Sequence, residues 1–331
     1  MNNIAVRLIQ RPVGTPGPEC FSVSEEAPAT PADGEILVAV RHISIDPAMR
    51  GWMNEGKSYI PPVPLGDVMR ALAVGEVLES RAPGFAPGDW VRGPFGIQSH
   101  AVAAAKAVSR IDLALAPSER WLGGLGMPGM TAYFGLLDVC AHKAGDVVLV
   151  SAANGAVGSV VGQLAKARGS QVIGIAGGPD KCRHVVEYYG FDACIDYKSE
   201  VVGRRIRELA PGGIDVYFDN VGGETLEAAL GNLRKGARIA ICGAIGDYND
   251  MASMKGPRNY LSLLVNSARM QGFVIFDFVA RYAEAEAALT AHYRDGQLKL
   301  AEHVEKGLSR FPDVLAMLFD GRNTAKLVLE V

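Results

Sequence analysis

Apolar and polar positions change rhythm twice along the chain. Over the first third they come in short runs: "GEILVAVRHISI" alternates apolar with polar, and "ALAVGEVLES" and "GDWVRGPF" are brief β-type stretches set off by turn pairs such as "PG". That rhythm predicts a small, irregular, β-rich domain. In "MPGMTAYFGLLDVCAHKAGD" the apolar residues fall at helical spacing, predicting a helix over residues 130–141. A regular alternation follows, with strands at "DVVLVSA", "QVIGIAG", "ACIDY", "IDVYFDNV", "ARIAICGAI" and "MQGFVIFDF" and helical patterns between most of them. Their β-branched, apolar centres suit strands covered on both faces, as in a parallel sheet. After the helical pattern "YAEAEAALTAHYRDG" the chain returns to short strands, "LAEHVEKGL" and "TAKLVLEV", around the helix "FPDVLAMLFDG". The predicted fold class is therefore α/β: a Rossmann-type, doubly wound parallel sheet over residues 128–296, and a discontinuous β-rich domain made of residues 1–127 and 297–331.

Composition narrows the functional field. The chain has 331 residues, 49% hydrophobic and 21% charged, which suits two domains with their own cores. The net charge of −3 comes without a basic block, so no nucleic-acid partner is expected. No apolar run approaches the roughly 18 residues of a bilayer span, so no membrane partner is expected. "MNNIAVRLIQRPVG" lacks the layout of a secretory signal. Five cysteines (Cys20, Cys140, Cys182, Cys194, Cys242) are scattered without a C-x-x-C pair. That argues against a zinc knuckle or disulfide framework and for a reducing compartment. A cytoplasmic location is expected.

Candidate chemistry begins in "VVLVSAANGAVGSVVGQLAKARGSQVIGIAGGPDK", residues 147–181. Ala153, Gly155 and Gly158 stand at the three glycine positions of G-x-G-x-x-G, after a strand and at the opening of a helix. Gly155, Ala156, Val157 and Gly158 are expected to cradle a pyrophosphate at the helix N-terminus. An NAD site commonly closes its second strand with an acid for the ribose hydroxyls. Here Gly177 and Gly178 take that place and Lys181 follows. Glycines leave room for a 2′-phosphate and lysine supplies the counter-charge, so NADP(H) is the expected cofactor, with Arg183 and Tyr197 extending the pocket. Asp180 runs against this reading, although aspartate also suits the first turn of a helix. A solvated surface lysine is the alternative for Lys181.

Several stretches together, "SIDPAMRGWM", "GMPGMTAYFGLLDVC", "AANGAVGSVVGQLAKARG", "YFDNVGGETL", "RIAICGAIGDYN" and "GFVIFDF", carry a resemblance over essentially the whole chain. It resembles the medium-chain dehydrogenase/reductase superfamily, and within it the zinc-independent, NADPH-dependent alkene reductases: prostaglandin/leukotriene B4 reductases, alkenal double-bond reductases and curcumin reductases. The resemblance implies that the β-rich domain is GroES-like and that Lys181 and Tyr197 contact the 2′-phosphate region. It also implies that Asn220 meets the cofactor. Cys242, Gly243, Ala244, Ile245, Gly246 and Tyr248 would wrap its nicotinamide half, with Phe273, Val274, Ile275 and Asn323 closing on it. Tyr248 would lie beside nicotinamide and substrate. Zinc-dependent relatives carry a Cys and a G-H-E-type pair as ligands; here those regions read "SIDPAMR" and "LGDVMRALAVGEV", with neither Cys nor His. No metal site is expected.

The expected reaction is reduction of the C=C bond of an apolar enal or enone, because a hydrogen-bond donor suffices for a delocalised enolate. Tyr248 is the candidate catalytic donor; lining the pocket is its alternative role. Trp52, Met53 and Tyr59 on the loop "GWMNEGKSYIPPVPLG" are candidate substrate contacts, with core packing as the other reading. Arg50 is expected to pair with Asp46 structurally. The apolar "MQGFVIFDF" at a sheet edge, with the family resemblance, points to a homodimer. A quinone reductase and a non-catalytic, crystallin-like NADPH-binding protein remain as alternatives.

Overall fold

The changes of rhythm correspond to two compact units: the residues up to Gly123 with Ala301–Val331, and Gly124–Leu300. The computed structural model describes residues 2–250 and 254–331.

In chain order the first unit contributes β1 (Asn3–Leu8), β2 (Phe21–Glu26), β3 (Glu35–Ser44), helix α1 (Ala48–Trp52), β4 (Ala73–Ser80), β5 (Trp90–Gly93), β6 (His100–Ala104) and β7 (Ser109–Arg110). The second contributes α2 (Met127–Phe134), β8 (Val147–Ser151), α3 (Gly158–Ala167), β9 (Gln171–Ala176), α4 (Pro179–Glu187), β10 (Ala193–Asp196), α5 (Val202–Leu209), β11 (Ile214–Asp219), α6 (Gly223–Leu230), β12 (Leu233–Ile241), α7 (Ser262–Val265), β13 (Arg269–Gly272) and α8 (Tyr282–Arg294). The chain then returns with β14 (Glu302–Lys306), α9 (Phe311–Asp320) and β15 (Lys326–Glu330).

In the first unit β1 pairs with β2, and a larger sheet runs β14-β15-β3-β4-β5-β7 with β6 also on β3. The apolar set of β3, Ile36, Val38, Val40 and Ile43, is buried with Phe311, Val314 and Leu315 of α9 and with Met49 and Met53. Lys326 is buried as well; its ammonium donates to the Ile45 carbonyl at 2.9 Å and to Asp46 at 3.0 Å. Ser44 donates to the other Asp46 oxygen at 2.5 Å. The expected Arg50–Asp46 pair is therefore replaced. Arg50 donates to the Gly14 and Pro12 carbonyls and to Asn54.

In the second unit six strands stand in the order β10-β9-β8-β11-β12-β13, every pairing parallel. This is the doubly wound Rossmann order, which reverses direction between β8 and β11. β8 is buried at all five positions, as a strand covered on both faces requires. The predicted helix over residues 130–141 starts earlier, with Pro128 in its first turn, and widens to π-helix over Gly135–Val139. There a side chain on Gly135 would fall 2.6 Å from both Phe218 and Phe273. "MQGFVIFDF" is not one strand. Only Arg269–Gly272 pairs, at the sheet edge, and Ile275–Arg281 forms a 3-10 helix. Two of its three aromatics turn inward: Phe278 stacks on Phe134 with centroids 4.5 Å apart, and Phe273 meets Phe218 edge-on, while Phe276 is exposed. Among the described residues no helix is long and apolar enough to cross a membrane.

Candidate functional site

The reversal of strand order brings together the C-terminal ends of β8, β9, β11 and β12, where ligands bind in sheets of this kind. Each strand end adds a distinct element.

β8 leads into a turn in which Ala152 takes φ +49° and its carbonyl accepts the Gly155 N–H at 2.9 Å. A Cβ on Gly158 would lie 2.4 Å from that same carbonyl oxygen, so only glycine lets α3 start here. Val157, at the N-cap position of α3, has no side-chain acceptor, and no side chain caps the helix. Ser159 and Val160 donate their N–H groups to the Gly155 and Val157 carbonyls at 3.1 Å each, so what the helix start offers an external anion is the positive end of its dipole at the glycine turn. Asn154 ties this turn to α4 through a 2.7 Å hydrogen bond with the His184 ring.

β9 ends at Ala176, and Gly177 and Gly178 follow, the latter at φ +95°. A Cβ on Gly177 would stand 2.8–2.9 Å from the Tyr197 ring, so the glycine is what allows that ring to lie across the strand end. Tyr197 is 52% exposed, and Lys181 is half-buried in the first turn of α4. Asp180, the residue that ran against phosphate binding, forms an ion pair with Arg183 at 3.1 Å. An acid does stand nearby, on the next strand. Asp196 ends β10, and its carboxylate accepts the Gly178 N–H at 2.7 Å, the Lys198 N–H at 3.0 Å and the Ser199 hydroxyl at 2.9 Å. Burial pushes this carboxyl up, but those donors outweigh it and hold it below its ordinary value. Its oxygens organise the turn, and sequence reading passed it over because it lies on the third strand.

β11 ends at Asp219, which sequence reading also missed, although an acid inside "VYFDN" is the signal for it. Asp219 is 1% exposed. Its Oδ1 accepts from the Tyr217 hydroxyl at 2.7 Å, the Ser151 hydroxyl at 3.2 Å and the Val221 and Gly222 N–H groups at 3.0 Å each. Burial nevertheless pushes the carboxyl above its ordinary range. Next to it, Asn220 donates its side-chain amide to the Ser151 carbonyl at 2.7 Å and its backbone N–H to the Ser151 hydroxyl at 2.8 Å. The ends of β8 and β11 are thereby locked together.

The loop after β12 is hung on that frame. Cys242 and Gly243 donate to the Asp219 carbonyl at 2.8 and 3.2 Å, Ile245 to the Asn220 carbonyl at 3.2 Å, and Gly246 to the Val221 carbonyl at 3.1 Å. The Tyr248 oxygen accepts the Ala244 N–H at 3.2 Å, and a Cβ on Gly243 would meet it at 2.9 Å. A phenol oxygen that accepts an N–H has its own O–H polarised for donation. Phe273, Val274 and Ile275 are half-buried, with the Val274 N–H donating to Asp277 at 3.4 Å.

The remaining candidates belong to the first unit. The Trp52 indole donates to the Tyr59 hydroxyl at 3.2 Å, Arg70 lies 5.7 Å over the Trp52 ring, and Tyr59 is 53% exposed. Met53, expected to touch substrate, is fully buried in the core, where the thioether packs. Asn323 donates to the Ala325 carbonyl at 3.1 Å. His42 bonds Ser118 and His100 bonds Ser99. Among the described residues no three His, Cys, Asp or Glu side chains are grouped to hold a metal ion.

A doubly wound sheet with a glycine turn at its switch point, interrupting a β-rich unit, defines a dinucleotide-dependent oxidoreductase of the medium-chain dehydrogenase/reductase type. Residues 5–111 match the family described as the N-terminal domain of oxidoreductase, and residues 156–291 the family described as zinc-binding dehydrogenase. The chain belongs to the medium-chain dehydrogenase/reductases, in the group of curcumin, 2-alkenal and prostaglandin reductases. It is 38% identical over 331 residues to the NADPH-dependent curcumin reductase of Escherichia coli (strain K12), covering 98% of this chain and 95% of that protein. It is also 38% identical over 301 residues to the NADP(+)-dependent 2-alkenal reductase of Nicotiana tabacum, covering 90% and 87%. The crystal structure of CurA from Vibrio vulnificus in complex with NADPH superposes with a TM-score of 0.94 at 39% identity, over 99% of each chain.

Proposed function

We propose that the protein uses NADPH to reduce the C=C bond of α,β-unsaturated aldehydes and ketones in the cytoplasm, leaving the carbonyl intact. The observation that carries this reading is the Tyr248 hydroxyl, held by the Ala244 N–H on a loop anchored to the ends of β11 and β8. The strand ends suit the cofactor. The uncapped start of α3 and the Gly155–Gly158 turn would hold the pyrophosphate. Lys181 and Tyr197, beside the acid-free end of β9, would take the 2′-phosphate. Asn220, the 242–246 loop and residues 273–275 would surround the nicotinamide half. When bound, the reduced nicotinamide supplies a hydride.

The protein's own part is to place the enone and receive its charge. Tyr248 donates a hydrogen bond to the substrate carbonyl oxygen and stabilises the enolate that forms as the β-carbon is reduced. The α-carbon then takes a proton from Tyr248 or from water. Trp52 and Tyr59 are the proposed apolar contacts. A carbonyl-to-alcohol reduction would need a stronger proton donor at a localised alkoxide.

Product analysis by mass spectrometry and NMR with a simple enone tests the reading: a saturated ketone is expected, and an allylic alcohol would overturn it. Tyr248→Phe should lower kcat by roughly ten- to a thousandfold, about 1.4–4 kcal/mol of barrier. A loss confined to KM would make Tyr248 a lining residue.

A further inference from the structure

The five cysteines are scattered in sequence, yet the fold brings two of them together. Cys182 lies in α4 and Cys194 on β10, and the Cys194 thiol donates to Cys182 Sγ at 3.1 Å. Both are free thiols and neither is fully buried. Their neighbours matter. Cys182 follows Lys181 directly, and Cys194 stands on the strand that ends beside Tyr197. Gly178, which leads into α4, is tied by its N–H to Asp196 at the end of β10.

We propose that Cys182 and Cys194 are a redox modification site: a small-molecule disulfide oxidises them to an intrachain disulfide, and closing that bond weakens NADPH binding. The second half rests on the assignment of Lys181 and Tyr197 to the 2′-phosphate. Cys182 is the attacking sulfur, because the Cys194 S–H points at it and supports its thiolate. Cys194 is held protonated, first by burial and then by the bond it donates and by Asp196 and Glu200. The Cys182 thiolate displaces one thiolate from the external disulfide, giving a mixed disulfide. Cys194, on losing its proton, then attacks Cys182 Sγ and expels the second thiolate. Two electrons pass from the protein thiols to the external disulfide, which leaves as two thiols carrying the two protons.

Burial raises the Cys182 thiol above its ordinary value as well, so the exchange is slow. A sulfur–sulfur bond is about 2 Å long, so the two atoms must close by about 1 Å from their present contact. That draws the turn carrying Lys181 toward the strand end carrying Tyr197 and alters the opening offered to a phosphate. Loss of one charge-assisted contact corresponds to a change on the order of tenfold in Kd.

The test uses the full-length protein incubated with oxidised glutathione or with dithiothreitol. Expected after oxidation are an intact mass lower by two hydrogens, a linked peptide joining residues 182 and 194, and a Kd for NADPH weaker by about tenfold with that for NADH unchanged. Cys194→Ala should stop at a glutathione adduct on Cys182, and Cys182→Ala should bind NADPH equally under both conditions. Absence of the linked peptide, or of the trapped adduct in Cys194→Ala, overturns the site. A linked peptide with unchanged NADPH affinity overturns the coupling. If the reduced protein binds NADH as tightly as NADPH, the 2′-phosphate assignment fails instead, and the linked peptide alone decides whether the pair is a disulfide site.

Discussion

Replacing Glu302 with glutamine should remove a large part of the pH dependence of stability in the first unit. Glu302 opens β14, and its side chain is 6% exposed. Burial pushes its carboxyl from 4.5 up to about 7, against the pull of Arg120 at 3.7 Å and Lys326 and with a push from Glu119. The folded protein thus binds this proton more tightly than the unfolded chain. The stability it contributes is fully present below pH 4.5 and is lost as pH rises through about 7. The difference amounts to at most about 3 kcal/mol. Glutamine reproduces the neutral acid in shape and cannot ionise. All three tryptophans, Trp52, Trp90 and Trp121, lie in the first unit, so their fluorescence during urea unfolding reports on it selectively. Measured from about pH 5 to 8, the wild type should lose up to about 3 kcal/mol more than Glu302→Gln. Parallel profiles, within about 0.5 kcal/mol across that range, would refute the buried-acid reasoning.

Lys181→Ala should raise KM for NADPH by about tenfold or more, the size of a charge-assisted hydrogen bond, with little effect on NADH; equal losses for both cofactors would remove Lys181 from the 2′-phosphate site. Dialysis against a chelator should leave activity intact and elemental analysis should show no stoichiometric zinc, whereas a bound zinc whose removal abolishes turnover would contradict the ligand-poor "SIDPAMR" and "LGDVMRAL" regions. β13 is an exposed sheet edge flanked by the exposed Leu264 and Val265, so light scattering at micromolar concentration should report a dimer, and a monomeric mass would count against it.

Much of the second unit was legible because its signals are local. A buried parallel strand reads as a continuous apolar run, and a glycine is needed where a Cβ would strike the preceding carbonyl, as at Gly158. The same reading misjudged "MQGFVIFDF", since an apolar run by itself does not separate a strand from aromatics folded inward over the π-helical turn at Gly135. For Met53 the core-packing alternative is the one the structure bears out, since the residue is fully buried.

The order of strands and helices, the glycine turn, the acid-free second strand end and the family were thus determined by the sequence alone. The first three depend on period, side-chain volume and backbone sterics within a few residues, and the family on the resemblance of several stretches spread over the whole chain. Only the tertiary structure decided where the charges and thiols act. Asp196 is set on the Gly178 turn, Asp219 is buried beneath Asn220, the Tyr248 oxygen meets the Ala244 N–H, Glu302 is raised toward neutrality, and Cys182 touches Cys194. The Tyr248 contact is made within one loop whose path is fixed by its anchors on β11, and the others depend on desolvation or on atoms that the fold carries together from separate elements; none of these is written in the order of residues along the chain.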